Sequence, residues 1–309
     1  MKQITSLFIL LGMLCGHSTA AEAPAGKQRS LLSADKNKDG KLTPDEVSPA
    51  LWKRLAAFDA NGDGALSAEE LAAADKKGGE GRKPGGATAA FEVRQFKAEN
   101  GRALEYSLFV PPKIEPGAKL PLVLCLHGAG GGTDAARVLA TPARQAVHPC
   151  FVMAPTVGER GNRWVDSAFR EGKGRSVLPE LMGALDAALR ELPVDPDRVY
   201  LTGQSMGGVG TWGAIAAHPE RFAAAVPVCG MWPPEDADKM KRVPVWAFHG
   251  DKDNAVPVEG SRKMIAALKA AGASPRYTEF PGVGHGSWEP AYATDAMWDW
   301  MFQQRRSAP

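Results

Sequence analysis

The chain has 309 residues, 44% apolar and 23% charged, with 37 Lys and Arg against 35 Asp and Glu. That length is enough for one well-buried domain and a small second one. A formal net charge of +2 gives no electrostatic case for a nucleic-acid or acidic partner.

The first element is a targeting segment. Lys2-Gln3 precedes the apolar run "ITSLFILLGMLC", and small residues follow at Ser18 and Ala20. This order of basic, apolar and small residues predicts a signal peptide over 1–20, cut near Ala20, and an exported, periplasmic or secreted product. The apolar run is short for a bilayer span and no later segment is longer, so the mature chain is expected to have no transmembrane helix.

Next come two loops over 35–46, "DKNKDGKLTPDE", and 59–70, "DANGDGALSAEE", within a small all-α region at 27–75. Each fits the calcium-loop spacing D-x-N-x-D-G-x5-E. Calcium takes six to eight hard oxygen ligands at roughly 2.3–2.6 Å, and alternate residues of a tight loop aim at one point. In the first loop Asp35, Asn37 and Asp39 converge, Lys41 offers its carbonyl, and Glu46 closes the shell with both carboxylate oxygens. Asp59, Asn61, Asp63, Ala65 and Glu70 repeat these roles. Thr43 to Glu46 and Ser67 to Glu70 also form capping boxes, so each loop ends by starting a helix. Leu42 and Leu66, at matching positions, are expected to pair between the loops. Leu51, Leu55 and Phe58 fall at helical spacing before the second loop. The stretch looks like an EF-hand pair. Its first entry helix is poor, which predicts structural Ca2+ of weak affinity, about 10⁻⁴–10⁻³ M, rather than a sensor. Residues 76–90, rich in Gly, Lys and Ala, read as a flexible linker.

From 91 to 305 the pattern changes. "FEVRQF" and "LEYSLFVP" flank Asn100-Gly101 and predict a hairpin. Apolar runs at 120–128, 150–155, 198–203, 223–230, 243–250 and 276–280 then alternate with helical stretches, among them 177–191, 206–217 and 259–271. Strand and helix in alternation predict an α/β fold: a mostly parallel sheet with helices on both faces and antiparallel strands at one edge. Chemistry in such sheets sits at the carboxyl ends of the strands. The cysteines at 125, 150 and 229 lie in or beside these apolar runs and read as buried small hydrophobes; a Cys125–Cys150 bridge is the alternative.

Gly203-Gln204-Ser205-Met206-Gly207 joins a predicted strand to a predicted helix. A G-x-S-x-G turn there holds its serine in a strained conformation above the sheet, at a helix N-terminus. "LCLHGAGGG" at 124–132 ends the preceding apolar strand, and the N–H groups of Ala129 and Met206 are the expected oxyanion donors. "AFHGDKDNAVP" at 247–257 places Asp253 just past a strand end, with Asp251 as its rival for the acid. "GVGHGSW" at 282–288 puts His285 on a glycine-flanked loop. Ser, Asp, His is the chain order of an α/β hydrolase. His285 would take the serine proton and Asp253 would orient the imidazole. His127 reads as a loop-shaping residue and His249 as a structural residue beside the acid loop. Trp164, Trp232 and Trp288 follow strand ends and are either cleft residues or ordinary packing.

On "LHGAGG", "LTGQSMGGVGTW", "HPERFAAAVPVCG", "PVWAFHGDKDNAVPV" and "GHGSWEPAY", residues 91–305 resemble the alpha/beta-hydrolase esterases grouped with polyhydroxybutyrate depolymerase-like and prolyl-oligopeptidase-family hydrolases. The resemblance implies a secreted carboxylesterase of the type that includes feruloyl and acetylxylan esterases. Such an enzyme acts on a small-molecule or polysaccharide-linked ester without a catalytic cofactor. By position it implies Ser205 as nucleophile, Asp253 as acid and His285 as base. A serine peptidase of the prolyl-oligopeptidase type is the alternative of the same fold, from which the chain departs in carrying no propeller-sized N-terminal domain. A non-catalytic calcium-binding module on a hydrolase scaffold is the alternative of another class.

Overall fold

A computed structural model describes residues 37, 39–46, 52, 56–67, 69–71, 91–158, 162–166 and 175–306. The expected signal peptide, the linker at 76–90, Asp35, Leu51 and Leu55 lie outside the described residues. By internal contacts the chain divides into two units, Met1–Gly86 and Ala87–Pro309. Among the described residues no helix is long and apolar enough to cross a membrane.

In the first unit, strands β1 (Lys41–Leu42) and β2 (Leu66–Ser67) pair antiparallel, with Leu42 opposite Leu66. Both leucines are fully buried. The loop turns rest on glycines at φ +82° (Gly40) and +79° (Gly64), a conformation that side chains disfavour. Glu46 and Glu70 fold back onto their own loops. Glu46 Oε2 accepts from Thr43 N and Oγ1 at 2.9 and 2.8 Å; Glu70 Oε2 accepts from Ser67 N and Oγ at the same two distances. These are the predicted capping contacts.

The second unit is built on one eight-stranded sheet, in the order β10-β9-β8-β7-β5-β6-β4-β3. Strands β3 (Glu92–Lys97) and β4 (Ala103–Phe109) form the antiparallel edge hairpin. Strands β5 (Leu120–Leu126), β6 (Phe151–Thr156), β7 (Val194–Gln204), β8 (Ala224–Val228), β9 (Trp246–Gly250) and β10 (Arg276–Phe280) run parallel to one another. Side chains alternate across a strand. Leu122, Leu124 and Leu126 therefore enter one core with α3 (Leu178–Glu191) and α4 (Met206–Ala217). Val123 and Cys125 enter the other, with α1 (Asp134–Leu139), α7 (Trp288–Tyr292) and α8 (Asp295–Gln303). Among the described residues the layers also contain α2 (Pro142–Val147), α5 (Ala237–Met240) and α6 (Glu259–Ala270). Cys125, Cys150 and Cys229 are buried with free thiols, so the alternative Cys125–Cys150 bridge does not form.

Candidate active site

The turn from β7 into α4 lifts Ser205 out of the sheet. Ser205 sits at φ 56°, ψ −116°, and Cys229, just past β8, at φ 40°. Among the described residues these are the non-glycine positions with positive φ, and they are in contact. The Ser205 N–H is shared between the Val228 carbonyl at 3.0 Å and the Cys229 thiol at 3.3 Å. Strain of this kind costs about 1–3 kcal/mol per residue and persists only where the surroundings over-determine it. The glycines of the turn provide the room. A Cβ at Gly207 would collide with the Leu126 carbonyl, and one at Gly203 with the Gly207 carbonyl.

Two loops beyond neighbouring strand ends bring the other side chains over. Past β9 lies the Asp253 loop, and past β10 the His285 loop. They are tied together: Lys252 N donates to Val283 O at 2.9 Å, and Asp251 Oδ1 accepts from Gly282 N at 2.6 Å. Of the two rival carboxylates, Asp251 thus braces the loop that carries His285, while Asp253 reaches the imidazole. His285 Nδ1 is 2.8 Å from Asp253 Oδ2, and its Nε2 is 2.9 Å from Ser205 Oγ. Asp253 Oδ1 accepts the N–H groups of Ala255 and Val256 at 2.8 and 2.9 Å. Burial by itself would raise the pKa of this carboxyl. The bonds from His285, Val256 and Ala255 outweigh it and hold the group below its ordinary value.

The loop after β5 is fixed from two sides. His127 Nε2 accepts the Val157 N–H at 3.0 Å, which leaves the proton on Nδ1 for the Gly128 carbonyl at 2.6 Å. Burial pushes the His127 pKa down, against the pull of that carbonyl, and favours this neutral form. The Trp164 indole N–H donates to the His127 carbonyl at 2.9 Å. The loop lies so close to Ser205 that a Cβ at Gly128 would be 3.5 Å from Ser205 Cβ. Ala129 follows directly in this loop, and Met206 is the first residue of α4, where the helix dipole presents its positive end.

The three tryptophans divide. Trp288 stands edge-on to His285, ring centroids 5.4 Å apart, and is half-buried. Trp164 is 0% exposed, so the expectation that it lines the cleft is corrected. Its ring packs edge-on to His127 and against Gly210 of α4, as a brace beneath the loop. Trp232 is 8% exposed, and its N–H is taken by Asp236 Oδ2 at 2.9 Å. It lines a cavity of about 570 Å³ with Arg102, Arg175 and Lys239, whose lining includes none of Ser205, Asp253 and His285. Sequence reasoning did not find the contact of Cys229 with Ser205. It joins residues 24 apart, and its signal is visible only in the backbone angle of a residue after a strand.

A mostly parallel sheet with a serine on the strand-to-helix turn, and a histidine and an aspartate on the loops beyond it, defines an α/β hydrolase. The profile of the dienelactone hydrolase family matches residues 110–297, and that of the EF hand matches residues 30–48 and 53–73. The chain belongs to the dienelactone hydrolase family. NocK of Nocardia uniformis subsp. tsuyamanensis, an esterase by name, is 30% identical over 192 residues, which cover 57% of this chain and 52% of NocK. The bifunctional acetylxylan esterase/xylanase XynS20E of Neocallimastix patriciarum is 26% identical over 175 residues, covering 55% of this chain and 25% of that protein. The chain thus spans about half or less of these relatives. A crystal structure of a thermostable esterase superposes with a TM-score of 0.64 at 39% identity, covering 70% of this chain and 63% of the other.

Proposed function

We propose that the protein is an exported serine carboxylesterase that works through an acyl-enzyme on Ser205. The relay of 2.8 and 2.9 Å from Asp253 through His285 to Ser205 carries this reading. With Nδ1–H donated to Asp253, the His285 Nε2 lone pair is free to take the Ser205 proton as Oγ attacks the ester carbonyl. The developing oxyanion turns toward the N–H groups of Ala129 and Met206, beside the N-terminus of α4. The protonated imidazole hands its proton to the departing alcohol. A water then repeats the sequence in reverse and frees the acid. Holding the imidazole tautomer and stabilising its charge are the tasks of Asp253.

For substrate we infer a carboxylic ester on a sugar or aromatic group, of the acetyl or feruloyl type. The half-buried Trp288 ring beside His285 supports this reading, as does the similarity to XynS20E, named as an acetylxylan esterase/xylanase. Calcium is proposed for the N-terminal loops. Their donor set fits, since it is all oxygen, with each terminal glutamate already drawn back over its loop. Asn37, Asp39, Glu46 and the Lys41 carbonyl would hold one ion with Asp35; Asp59, Asn61, Asp63, Glu70 and the Ala65 carbonyl would hold the other. The ion supplies cross-linking charge to two acidic loops and takes no part in hydrolysis. Export rests on the N-terminal pattern.

Labelling with a fluorophosphonate probe, with and without a calcium chelator, tests the reading together with turnover of p-nitrophenyl acetate and methyl ferulate. Wild type should label and hydrolyse, and Ser205→Ala should do neither, with turnover down by about 10⁵–10⁶-fold. Full ester turnover in Ser205→Ala would refute it.

A further inference from the structure

His249, the fourth residue of β9, is fully buried beside the acid. Its Nε2 lies 2.9 Å from the Val256 carbonyl and 3.2 Å from Asp253 Oδ2. Both are acceptors, so Nε2 carries a proton. Its Nδ1 is 2.8 Å from Ser261 Oγ on α6, and that hydroxyl is 3.0 Å from the Gly230 carbonyl. One carboxylate therefore serves two imidazoles. Asp253 Oδ2 meets His285 Nδ1 and His249 Nε2, while Oδ1 takes two backbone N–H groups.

We propose that His249 is a positioning residue for the acyl-transfer chemistry: its Nε2–H fixes the Asp253 carboxylate in the orientation in which Oδ2 meets His285. The proposal rests on the reading of Ser205, Asp253 and His285 as the reacting set. Asp253 sits on a loop, and the backbone bonds to Oδ1 leave Oδ2 with His285, itself on a loop, as its other partner. His249 refers that oxygen to the sheet and, through Ser261, to α6 and the Gly230 carbonyl. The titratable groups facing this pair are His285, Glu279 of β10 and the Cys229 thiol. Burial disfavours a charge on His249 and pushes its pKa down.

The test is steady-state kinetics of p-nitrophenyl acetate hydrolysis against pH for His249→Phe, which keeps a ring and loses the N–H. A lost bond to a charged acceptor predicts a fall of about tenfold in kcat with KM unchanged. The acid limb should move to higher pH, because Asp253, short of one donor, becomes the more basic partner in the relay. His249→Gln, whose amide N–H reaches the same place, should restore part of the rate. In an Asp253→Asn background the Phe change should cost nothing further. An unmoved acid limb, or an equal cost with and without the aspartate, would overturn the proposal. If His249→Phe does not fold, Ser261→Ala releases the Nδ1 anchor. It should move the acid limb in the same direction, and an unmoved limb there also overturns the role. Wild-type protein that neither labels with fluorophosphonate nor hydrolyses ester would instead overturn the underlying reading of the site.

Discussion

Trp164→Phe separates a brace beneath the loop after β5 from ordinary core packing. The indole is fully buried, and its N–H satisfies the His127 carbonyl at 2.9 Å. Phenylalanine keeps most of the apolar contact with His127 and Gly210 but deletes that donor. A buried acceptor left unpaired costs about 1–3 kcal/mol, and the smaller ring leaves a cavity that adds about 1 kcal/mol. The sum is ~2–4 kcal/mol. At about 2–4 °C per kcal/mol for a domain of this size, Tm should fall by roughly 5–15 °C. The kinetic effect is the sharper reading. Freed at its carbonyl, His127 no longer holds Gly128 and Ala129 against Ser205. Loss of one oxyanion donor costs about 10²–10³ in kcat, so partial misplacement should cost at least tenfold with KM little changed. Urea denaturation and ester kinetics on the same preparation measure both. A variant that loses stability as expected yet keeps wild-type kcat would refute the role of Trp164 in the loop, and would leave it as packing alone.

Asp253→Asn should lower kcat by about 10⁴-fold with the fold intact, whereas Asp251→Asn should keep turnover within about tenfold and lose ~1 kcal/mol of stability through its bond to Gly282 N. Comparing kcat and urea midpoints of the two variants checks which carboxylate serves which task. His127 and His249 are both held below the ordinary histidine pKa by burial, so below about pH 6.5 the unfolded chain binds more protons than the folded one. Stability must then fall as pH drops from about 7 toward the folded values; a urea midpoint that is flat or rises from pH 7.5 to 5.5 contradicts this. Glu70→Gln should lower calcium affinity at the second loop by at least about tenfold and leave the first loop's site, as read by calorimetric titration.

Much of the fold can be read from the chain because its signals are local. The apolar run 198–203, the tight G-x-S-x-G and the helical stretch 206–217 are contiguous, and each obeys a short-range steric or periodic rule. The EF-hand loops are legible for the same reason: each spans twelve residues and ends in a capping contact within four of them. The serine, aspartate and histidine candidates could be ranked by position after strands, but Asp251 and Asp253 are two residues apart on one loop and sequence spacing cannot separate them. The tie between the loops at 251–252 and 282–283 decides which carboxylate faces His285. Burial likewise turns on neighbours distant in the chain. Trp164 follows a strand as a cleft residue would, yet α4 and the His127 loop close over it. Cys125 and Cys150 lie in or beside apolar runs, with a bridge left open by the sequence, yet their thiols are free. Short-range pattern therefore determines the elements and the residue types on offer. Which side chain meets which is settled by long-range packing, since contact depends on where separate loops converge in space.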